Sequence, residues 1–162
     1  MTKVAIVMGS DSDWRILQDA NDQLKAFGVA AEVEVLSAHR TPERMIEWGK
    51  SAASRGIKVV IAGAGGAAHL PGMLASVTSL PVVGVPISLT HLDGMDSLLS
   101  IVQMPAGVPV ATVSIDGAKN AALLALRILA TSDPKLLTQL DEYRAQLVET
   151  VLEKDAKLKS SL

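Results

Sequence analysis

The chain has no cysteine among its 162 residues. Disulfide bonds and thiolate metal sites are therefore excluded, and packing and hydrogen bonds must hold the fold together. Aromatic side chains are also rare, since only Trp14, Phe27, Trp48 and Tyr143 occur. Proteins that bind single-stranded nucleic acid stack the bases on aromatic rings, so this scarcity weighs against a role of that kind.

A large charge of one sign and a long apolar run are missing as well. The formal net charge of -2 gives no general attraction to nucleic acid or to anionic lipid. Any phosphate must then be bound locally, by an arginine or by the N-terminus of a helix. No apolar run has the length of a membrane span, and we expect the opening segment to be a strand rather than a signal peptide. A cytoplasmic protein is the simplest interpretation.

The sequence contains instead a regular alternation of short apolar runs and helical patterns. The chain is 49% hydrophobic and long enough for one domain, residues 1–162, with one sizeable core. Five apolar runs are typical of strands buried on both faces: residues 4–8, 32–36, 59–62, 81–85 and 108–113. Helical patterns lie between or after them, at residues 13–27, 42–55, 67–77 and 117–130. This order predicts a flavodoxin-like three-layer α/β/α fold with a five-stranded parallel sheet in the order 2-1-3-4-5.

The C-terminal segment has a different pattern. Asp133 followed by Pro134 is a strong helix start, and apolar residues then recur every three or four positions from Leu136 to Val151. These features predict a helix over residues 133–158, about 39 Å long at roughly 1.5 Å per residue. A small domain does not need a helix of this length to cover its own sheet. The apolar stripe is equally compatible with packing against another subunit and with packing against its own domain.

A ligand site is expected in the loops that follow strands 1, 2 and 3, because ligands of doubly wound sheets bind beyond the carboxyl ends of the strands, where the strand order reverses. The first of these loops, residues 9–14, combines Gly9, two serines, Ser10 and Ser12, and the start of a helix, which is the general form of an anion site. Asp13 would repel a phosphate, so a ribose hydroxyl is a better partner for it. Taken alone, the loop favours plain helix capping by Ser12 or Asp13.

The loop after strand 2, residues 37–42, places Arg40 at the beginning of a helix. The helix dipole disfavours a cation there, so a bound anion explains Arg40 better than the helix does. His39 stands beside it at a strand end. A lone histidine is usually structural or simply exposed, but beside an arginine at an expected ligand crevice the functional and structural interpretations have equal support.

The loop after strand 3, residues 63–72, matches the dinucleotide pattern G-x-G-x-x-A. That fingerprint belongs after the first strand and needs an acidic residue at the end of the next one, so we reject it here. What remains is a loop almost free of side chains, which lets backbone N–H groups approach a flat ligand closely. His69 could contact that ligand, although a capping or packing role is favoured by the pattern alone.

The segment that follows strand 4, residues 86–109, is punctuated by proline and glycine. Its spacing is compatible with a wall of the pocket or with an oligomer contact, and does not choose between them. The sequence has no P-loop, no G-x-S-x-G elbow and no cluster with metal-ligand spacing. A metal is therefore not required.

Together these motifs resemble one family, the class I 5-(carboxyamino)imidazole ribonucleotide mutases of bacterial purine synthesis. Residues 9–14, 37–42, 62–73, 96–105 and 120–125 carry the resemblance, which extends over nearly the whole chain. Residues 88–92 and the tail after Leu152 do not take part in it. The resemblance implies a flavodoxin-like subunit in a homo-octamer, with active sites at the subunit junctions and no cofactor or metal.

The resemblance also implies an isomerase of de novo purine (IMP) biosynthesis. Such an enzyme converts 5-(carboxyamino)imidazole ribonucleotide into 4-carboxy-5-aminoimidazole ribonucleotide by decarboxylation and recarboxylation. By matching position, His39 is the general acid/base. The residues that bind the nucleotide, border its phosphate or line the ring and carboxyl site are Ser10, Asp13, Arg40, Ser12, Ser37, Gly65, Gly66, Ala67 and His69.

Three other functions compete with this one. The nearest is the class II relative, a lyase that carboxylates aminoimidazole ribonucleotide directly with carbon dioxide. A non-catalytic flavin or nucleotide-binding module is the second, although few aromatics are present to stack on a flavin. The third, a structural oligomer built on the C-terminal helix, leaves Arg40 and His39 unexplained.

Overall fold

The structure is a computed structural model that describes residues 3–162. Its sheet has five strands: β1 (Val4–Met8), β2 (Ala31–Val35), β3 (Val59–Gly65), β4 (Val82–Ile87) and β5 (Ala111–Thr112). The strands lie in the order β2-β1-β3-β4-β5, and every neighbouring pair is parallel. The flavodoxin-like order expected from the sequence is thereby confirmed.

Six α-helices connect or follow these strands within residues 3–162: α1 (Trp14–Ala26), α2 (Pro42–Ala52), α3 (Leu70–Ala75), α4 (Met95–Val102), α5 (Ala118–Ala130) and α6 (Pro134–Lys159). Short 3₁₀ turns precede α1 at Asp11–Asp13 and α4 at Leu92–Gly94. The helix α4 lies inside the segment for which the sequence analysis predicted no helix. The other five correspond to predicted helices, with ends that differ by a few residues.

The core lies on both sides of the sheet, because successive side chains of a strand point to opposite faces. On β1, Val4, Ile6 and Met8 pack with residues of α1 and α5 on one face. Ala5 and Val7 pack with residues of α2, α3 and α4 on the other. All five of these β1 side chains are at most 2% exposed, which explains why the strand is apolar at every position.

The strand register brings three loops to one edge of the sheet. Met8, the last residue of β1, is aligned with Val35 at the end of β2 and with Gly63 near the end of β3. The chain therefore leaves these three strands at about the same level. Residues that follow them meet in space although they are far apart in sequence, and this meeting point is the edge at which the sequence analysis expected a ligand.

The fifth strand is much shorter than the predicted segment 108–113. Only Ala111 and Thr112 form the strand, and they are aligned with Val83 and Gly84 of β4. Strand β5 lies at the edge of the sheet, where pairing on one side alone supports it. Pro109 also has no N–H to donate to a ladder, so pairing does not extend to its position.

Helix α6 begins and ends within one residue of the prediction. Asp133 is its N-cap and accepts a hydrogen bond from the N–H of Leu136 at 3.2 Å. Leu136 is buried against α5, but farther along the stripe Leu147 and Val151 are 50% and 63% exposed. The domain therefore covers only the first turns of the helix. Within residues 3–162, no helix is both long and apolar enough to cross a membrane.

Candidate functional site

A cavity of about 200 Å³ opens at the carboxyl ends of β1, β2 and β3. Its lining consists almost entirely of residues from the three loops that follow these strands. The lining residues are Gly9, Ser10, Ser12, Asp13, Ser37, Ala38, His39, Arg40, Ala64, Gly65, Ala67, His69, Leu70 and Leu89. Of the site residues predicted from the sequence, the fold brings all except Gly66 into this lining.

Two histidines meet directly at this cavity. Nε2 of His39 lies 2.8 Å from Nδ1 of His69, and the two rings are nearly perpendicular, at 89°. His69 occupies the N-cap position of α3, but its side chain makes no capping hydrogen bond. A contact of this length between ring nitrogens holds one proton, which one nitrogen donates and the other accepts. Both side chains are exposed in the isolated chain.

Arg40 is held in place by neighbours on two loops. Its Nε donates to Oγ of Ser37 at 3.1 Å, and its terminal Nη2 donates to the carbonyl oxygen of Gly9 at 3.3 Å. No carboxylate forms an ion pair with Arg40 within residues 3–162. A guanidinium that is positioned by neutral acceptors keeps its positive charge available for an anion.

The serines of the first loop form a cap at the start of the 3₁₀ turn. Oγ of Ser10 accepts from the N–H of Ser12 at 3.4 Å, and a carboxylate oxygen of Asp13 accepts from the N–H of Ser10 at 3.1 Å. The pair is a capping box in which Ser10, rather than Ser12, is the N-cap. Ser12 donates its hydroxyl to Oγ of Ser10 at 3.0 Å. Capping and cavity lining are thus combined in the same residues.

Among the residues described by the structure, Asp13 is the one buried carboxylate that lines the cavity. Its side chain is only 6% exposed. Burial raises the pKa of Asp13 above its ordinary value of 3.8, and the hydrogen bond from Ser10 and the positive charge of Arg15 oppose this rise only in part. A hydrogen-bond donor placed in the cavity, such as a hydroxyl of a ligand, would therefore stabilise the ionised carboxylate.

The third wall of the cavity is the glycine-rich loop, from which Gly65 and Ala67 line the cavity. Gly66, between them, has a φ of +66°, a backbone conformation that residues with a Cβ rarely adopt. Its N–H donates to Oγ of Ser97, on helix α4, at 2.8 Å. Gly66 therefore supports the loop from behind rather than lining the cavity.

Leu89 forms a wall that the sequence analysis did not identify. Its side chain lies over the glycine loop so closely that a Cβ on Gly65 would come within 2.8 Å of the Leu89 Cγ. The adjacent Ser88 is fixed, because its N–H donates to Asp116 at 2.9 Å and its carbonyl accepts from Arg15 at 2.6 Å. No local signal in residues 88–92 indicates this role, which depends on the return of β4 beside β3.

A second cavity of about 360 Å³ adjoins the first and shares Gly9, Ser10, Ser37 and Arg40 with it. It adds Arg44, whose guanidinium is paired with Glu34 at 2.8 Å. Arg40 thus borders both cavities, whereas the charge of Arg44 is already balanced. A ligand that spans both cavities would place its anionic group near Arg40.

Three cavities elsewhere in the described part of the chain lack such a combination of groups. One of about 540 Å³ lies at the opposite edge of the sheet, near Lys3, the loop before β2 and the start of α6. It contains no histidine, arginine or glycine-rich loop, so its size alone does not identify a reaction site. Within residues 3–162 there is also no group of three His, Asp or Glu side chains that could hold a metal ion.

Comparison with known proteins agrees with this geometry. Residues 3–150 match the sequence profile of the AIR carboxylase family. The chain belongs to this family. A protein of Mycobacterium leprae (strain TN) named N5-carboxyaminoimidazole ribonucleotide mutase is 61% identical over 156 residues, which are 96% of this chain and 91% of the relative. A protein of the same name from Saccharolobus solfataricus is 59% identical over 94% of this chain and 96% of its own.

Solved structures of the family have the same fold. The crystal structure of Treponema denticola PurE superimposes with a TM-score of 0.88 at 30% sequence identity. The match covers 96% of this chain and 98% of that chain. Because the match leaves out so few residues of this chain, it includes the sheet and most of the long helix α6.

Proposed function

We propose that this chain is an isomerase that converts 5-(carboxyamino)imidazole ribonucleotide into 4-carboxy-5-aminoimidazole ribonucleotide in de novo purine biosynthesis. The observation that carries the proposal is one cavity in which the His39–His69 pair, Arg40 and a loop without large side chains converge. Each part matches a need of the reaction: a proton carrier, an anchor for phosphate and room for a flat ring. The names of the relatives that are about 60% identical support the same activity.

The nucleotide is bound through its phosphate at Arg40. Ser12 and Ser37 are its neutral neighbours, and the helix start that follows Ser10 adds a favourable dipole. Asp13, buried in the same wall, accepts a ribose hydroxyl. Because these contacts lie away from the reacting atoms, their binding energy fixes the imidazole ring in place for the chemical steps.

His39 is the general acid and then the general base. Cleavage of the N–carboxyl bond releases carbon dioxide and leaves the electron pair on the exocyclic nitrogen, which takes a proton from His39. The ring carbon of the resulting enamine attacks carbon dioxide and forms the new carbon–carbon bond. His39 then removes the proton from that carbon, which restores the aromatic ring and returns the histidine to its first state. Histidine suits both transfers because its ordinary pKa is close to neutral pH.

His69 supports the proton transfers at the facing nitrogen of His39. The 2.8 Å contact between them lets His69 accept or donate one hydrogen bond as the proton on His39 changes place. With Gly65 and Ala67, His69 also belongs to the ring and carboxyl subsite, and Gly66 supports this loop from behind. Gly65 and Ala67 leave room for carbon dioxide in this subsite, and the side chain of Leu89 covers the glycine-rich loop on one side. Retention of carbon dioxide next to the ring carbon raises its effective concentration there.

We propose further that the enzyme works in the cytoplasm as a homo-octamer of one-domain subunits, with active sites shared between subunits. The octamer is taken from the resemblance, and two features support contacts with other copies. The cavity of about 200 Å³ is smaller than the roughly 300–1,000 Å³ of ordinary ligand sites, so walls from a neighbour would complete it. The chain also exposes two apolar stripes: Leu92, Met95, Leu99 and Val102 around α4, and Leu147, Val148, Val151 and Leu152 on α6.

Direct carboxylation of aminoimidazole ribonucleotide is the alternative reaction, and the name of the matching family, AIR carboxylase, is consistent with it. The enzymes that catalyse the two reactions share the fold and a proton-carrying histidine, but they differ in their substrate. The relatives with 54–61% identity that are named mutases favour the isomerase. Conversion of the N-carboxylated nucleotide without net uptake or loss of carbon dioxide distinguishes an isomerase from a carboxylase.

The deciding experiment supplies each substrate separately to the purified protein. In the first assay the substrate carries ¹³C in its N-carboxyl group, and the buffer contains unlabelled bicarbonate. We expect rapid formation of 4-carboxy-5-aminoimidazole ribonucleotide that retains the label. In the second assay, aminoimidazole ribonucleotide and bicarbonate replace that substrate, and we expect little product. Rapid product formation only in the second assay would identify the carboxylase and refute the isomerase.

A further inference from the structure

A buried hydroxyl on α4 joins the ends of β3 and β4 behind the cavity. Ser97 is 0% exposed. Its Oγ accepts from the N–H of Gly66 at 2.8 Å and donates to the carbonyl oxygen of Ile87 at 2.7 Å. Both hydrogen-bonding functions of the hydroxyl are therefore used, and both partners are backbone groups of the residues at which the two strands separate.

The position of this hydroxyl corresponds to a missing rung of the sheet. The N–H of Val60 on β3 donates to the carbonyl oxygen of Pro81 at 3.0 Å. In a parallel pair such bonds recur at every second residue, so the series leads to a bond from the N–H of Gly66 to the carbonyl of Ile87. Instead, Ser97 Oγ stands between these two groups. The hydroxyl takes the place of the last rung and holds the strand ends apart.

The separated strand end is the loop that lines the cavity. At Gly66 the chain turns with a φ of +66°, and the next residues carry Ala67 and His69 to the cavity wall. Because Oγ of Ser97 accepts the hydrogen bond from the N–H of Gly66, Ser97 fixes the direction in which the chain enters this turn. The position of His69 against His39 therefore depends on a hydroxyl that does not reach the cavity itself.

We propose that Ser97 is a positioning residue for the isomerase reaction, acting through Gly66 on the glycine-rich loop and on His69. The proposal rests on the proposed function. It assigns Ser97 no contact with the substrate. Without the hydroxyl, the N–H of Gly66 and the carbonyl of Ile87 would lose their partner, and the loop would shift to recover a hydrogen bond. A displacement of about 1 Å at reacting groups can reduce a rate by as much as about 100-fold.

Three variants of the full-length protein test this role. Ser97→Ala removes the hydroxyl, and Ser97→Cys retains a side chain of similar shape with a weaker hydrogen-bonding group. Ser51→Ala is the control, because Ser51 is a half-buried serine of another helix, α2, and its hydroxyl donates at 3.1 Å to the carbonyl oxygen of Trp48 on that helix. Ser51 neither lines the cavity nor bonds to Gly66.

The assay measures kcat and KM for the N-carboxylated nucleotide at a temperature at which each variant is folded. We expect kcat of Ser97→Ala to fall by about 10-fold to 100-fold, with KM changed by less than about threefold because the phosphate anchor lies on other loops. Ser97→Cys should have an intermediate kcat, and Ser51→Ala should remain within about threefold of the wild type. If Ser97→Ala does not fold, the kcat of Ser97→Cys decides the question in the same way.

A wild-type kcat in the folded Ser97 variants would overturn the proposal. Equal losses in the Ser97 and Ser51 variants would also overturn it, because they would point to a general effect of losing a helix hydroxyl. A loss that appears only in KM would also overturn it. The wild-type assay tests the proposed function by itself. If the wild-type protein does not convert the N-carboxylated nucleotide, the proposed function is wrong, and the role of Ser97 in that reaction is wrong as well.

Discussion

Nε2 of His39 and Nδ1 of His69 are 2.8 Å apart, although the two residues follow different strands of the sheet. His39 follows β2 and His69 follows β3, and β1 lies between those two strands. The contact is therefore made above the end of β1, where the first loop contributes Ser10 and Asp13 to the same cavity. Such a pair connects the proposed proton carrier to a second group that can accept or donate a hydrogen bond.

The first prediction concerns His39. The variant His39→Asn should fold and bind the nucleotide, because the side chain is exposed and lies outside the core. Turnover should fall by about 100-fold or more, since the amide of asparagine cannot carry the proton between nitrogen and carbon. Steady-state kinetics and nucleotide binding by calorimetry measure the two effects.

The matched control is His91→Asn, which changes an exposed histidine that does not line the cavity. Its turnover should equal that of the wild type. Near-normal turnover of His39→Asn would remove His39 from the proposed mechanism.

The second prediction separates two arginines. Arg40→Ala should weaken binding of the nucleotide by about 10-fold or more, as expected for the loss of a charged hydrogen bond. It should weaken binding of the corresponding nucleoside much less, because the nucleoside has no phosphate. Arg44→Ala is the control, since Arg44 is paired with Glu34 at 2.8 Å. Equal losses for nucleotide and nucleoside in Arg40→Ala would mean that Arg40 is not a phosphate ligand.

Much of the fold could be predicted because the sequence patterns have local causes. Strand β1 is apolar at every position because both of its faces are buried, and it was predicted with its observed bounds. Helix α6 was predicted within one residue at each end, because Asp133 and Pro134 form an N-terminal signal that depends only on neighbouring residues.

The elements that were missed depend on features that are not local. Helix α4 begins after Gly94, which has a φ of 82° and gives the helix no side-chain cap, so no start signal of the usual kind was present. The predicted segment 108–113 has the composition of a strand, but only Ala111 and Thr112 form a strand beside β4. One more backbone hydrogen bond follows it, from the N–H of Val113 to the carbonyl oxygen of Gly84. Tertiary pairing, rather than propensity, decides the length of an edge strand.

The candidate site could be predicted only in part, because some of its contacts depend on the tertiary structure. The loops were identified because the carboxyl ends of parallel strands meet at one edge, and the fold brings those loops together. The direct His39–His69 contact and the wall formed by Leu89 could not be predicted, since each joins residues from separate loops. Helix capping by Ser12 or Asp13 was predicted, but the side-chain cap of the 3₁₀ turn is Ser10. Asp13 is the N-cap position of α1 without a side-chain cap there, and its carboxylate instead accepts from the N–H of Ser10.

The third prediction concerns pH and Asp13. Burial raises the pKa of Asp13 in the folded state above the ordinary value of 3.8. At a pH between the ordinary pKa of the unfolded chain and the raised pKa of the folded protein, Asp13 is protonated in the folded protein and ionised in the unfolded chain. The free energy of unfolding therefore falls as pH rises through this interval. The stability of the wild type relative to Asp13→Asn should therefore fall as pH rises above 3.8 through the raised pKa, and then become constant.

Chemical denaturation at a series of pH values measures this difference. The variant Asp19→Asn, at an exposed position of α1, controls for the change in net charge. A wild type that gains stability relative to Asp13→Asn over the same interval would show that the folded protein favours the ionised carboxylate. The direction of the pKa shift would then be wrong.

The fourth prediction tests whether the stripe on α6 is covered by another copy. Val151 is 63% exposed in the isolated chain, so Val151→Glu should change the stability of a single subunit by less than about 0.5 kcal/mol. At a subunit interface the same charge would be buried without a partner, at a cost of several kcal/mol. We expect analytical ultracentrifugation to give about eight times the subunit mass of 16.9 kDa for the wild type and a smaller mass for the variant.

The control for this prediction is Gln146→Glu. It adds the same charge on the other side of the helix, at about 100° per residue, and should leave the mass unchanged. If active sites are shared between subunits, Val151→Glu should also lose turnover in proportion to the loss of octamer. A variant with a glutamate at position 151 that sediments like the wild type would place this stripe outside every subunit contact.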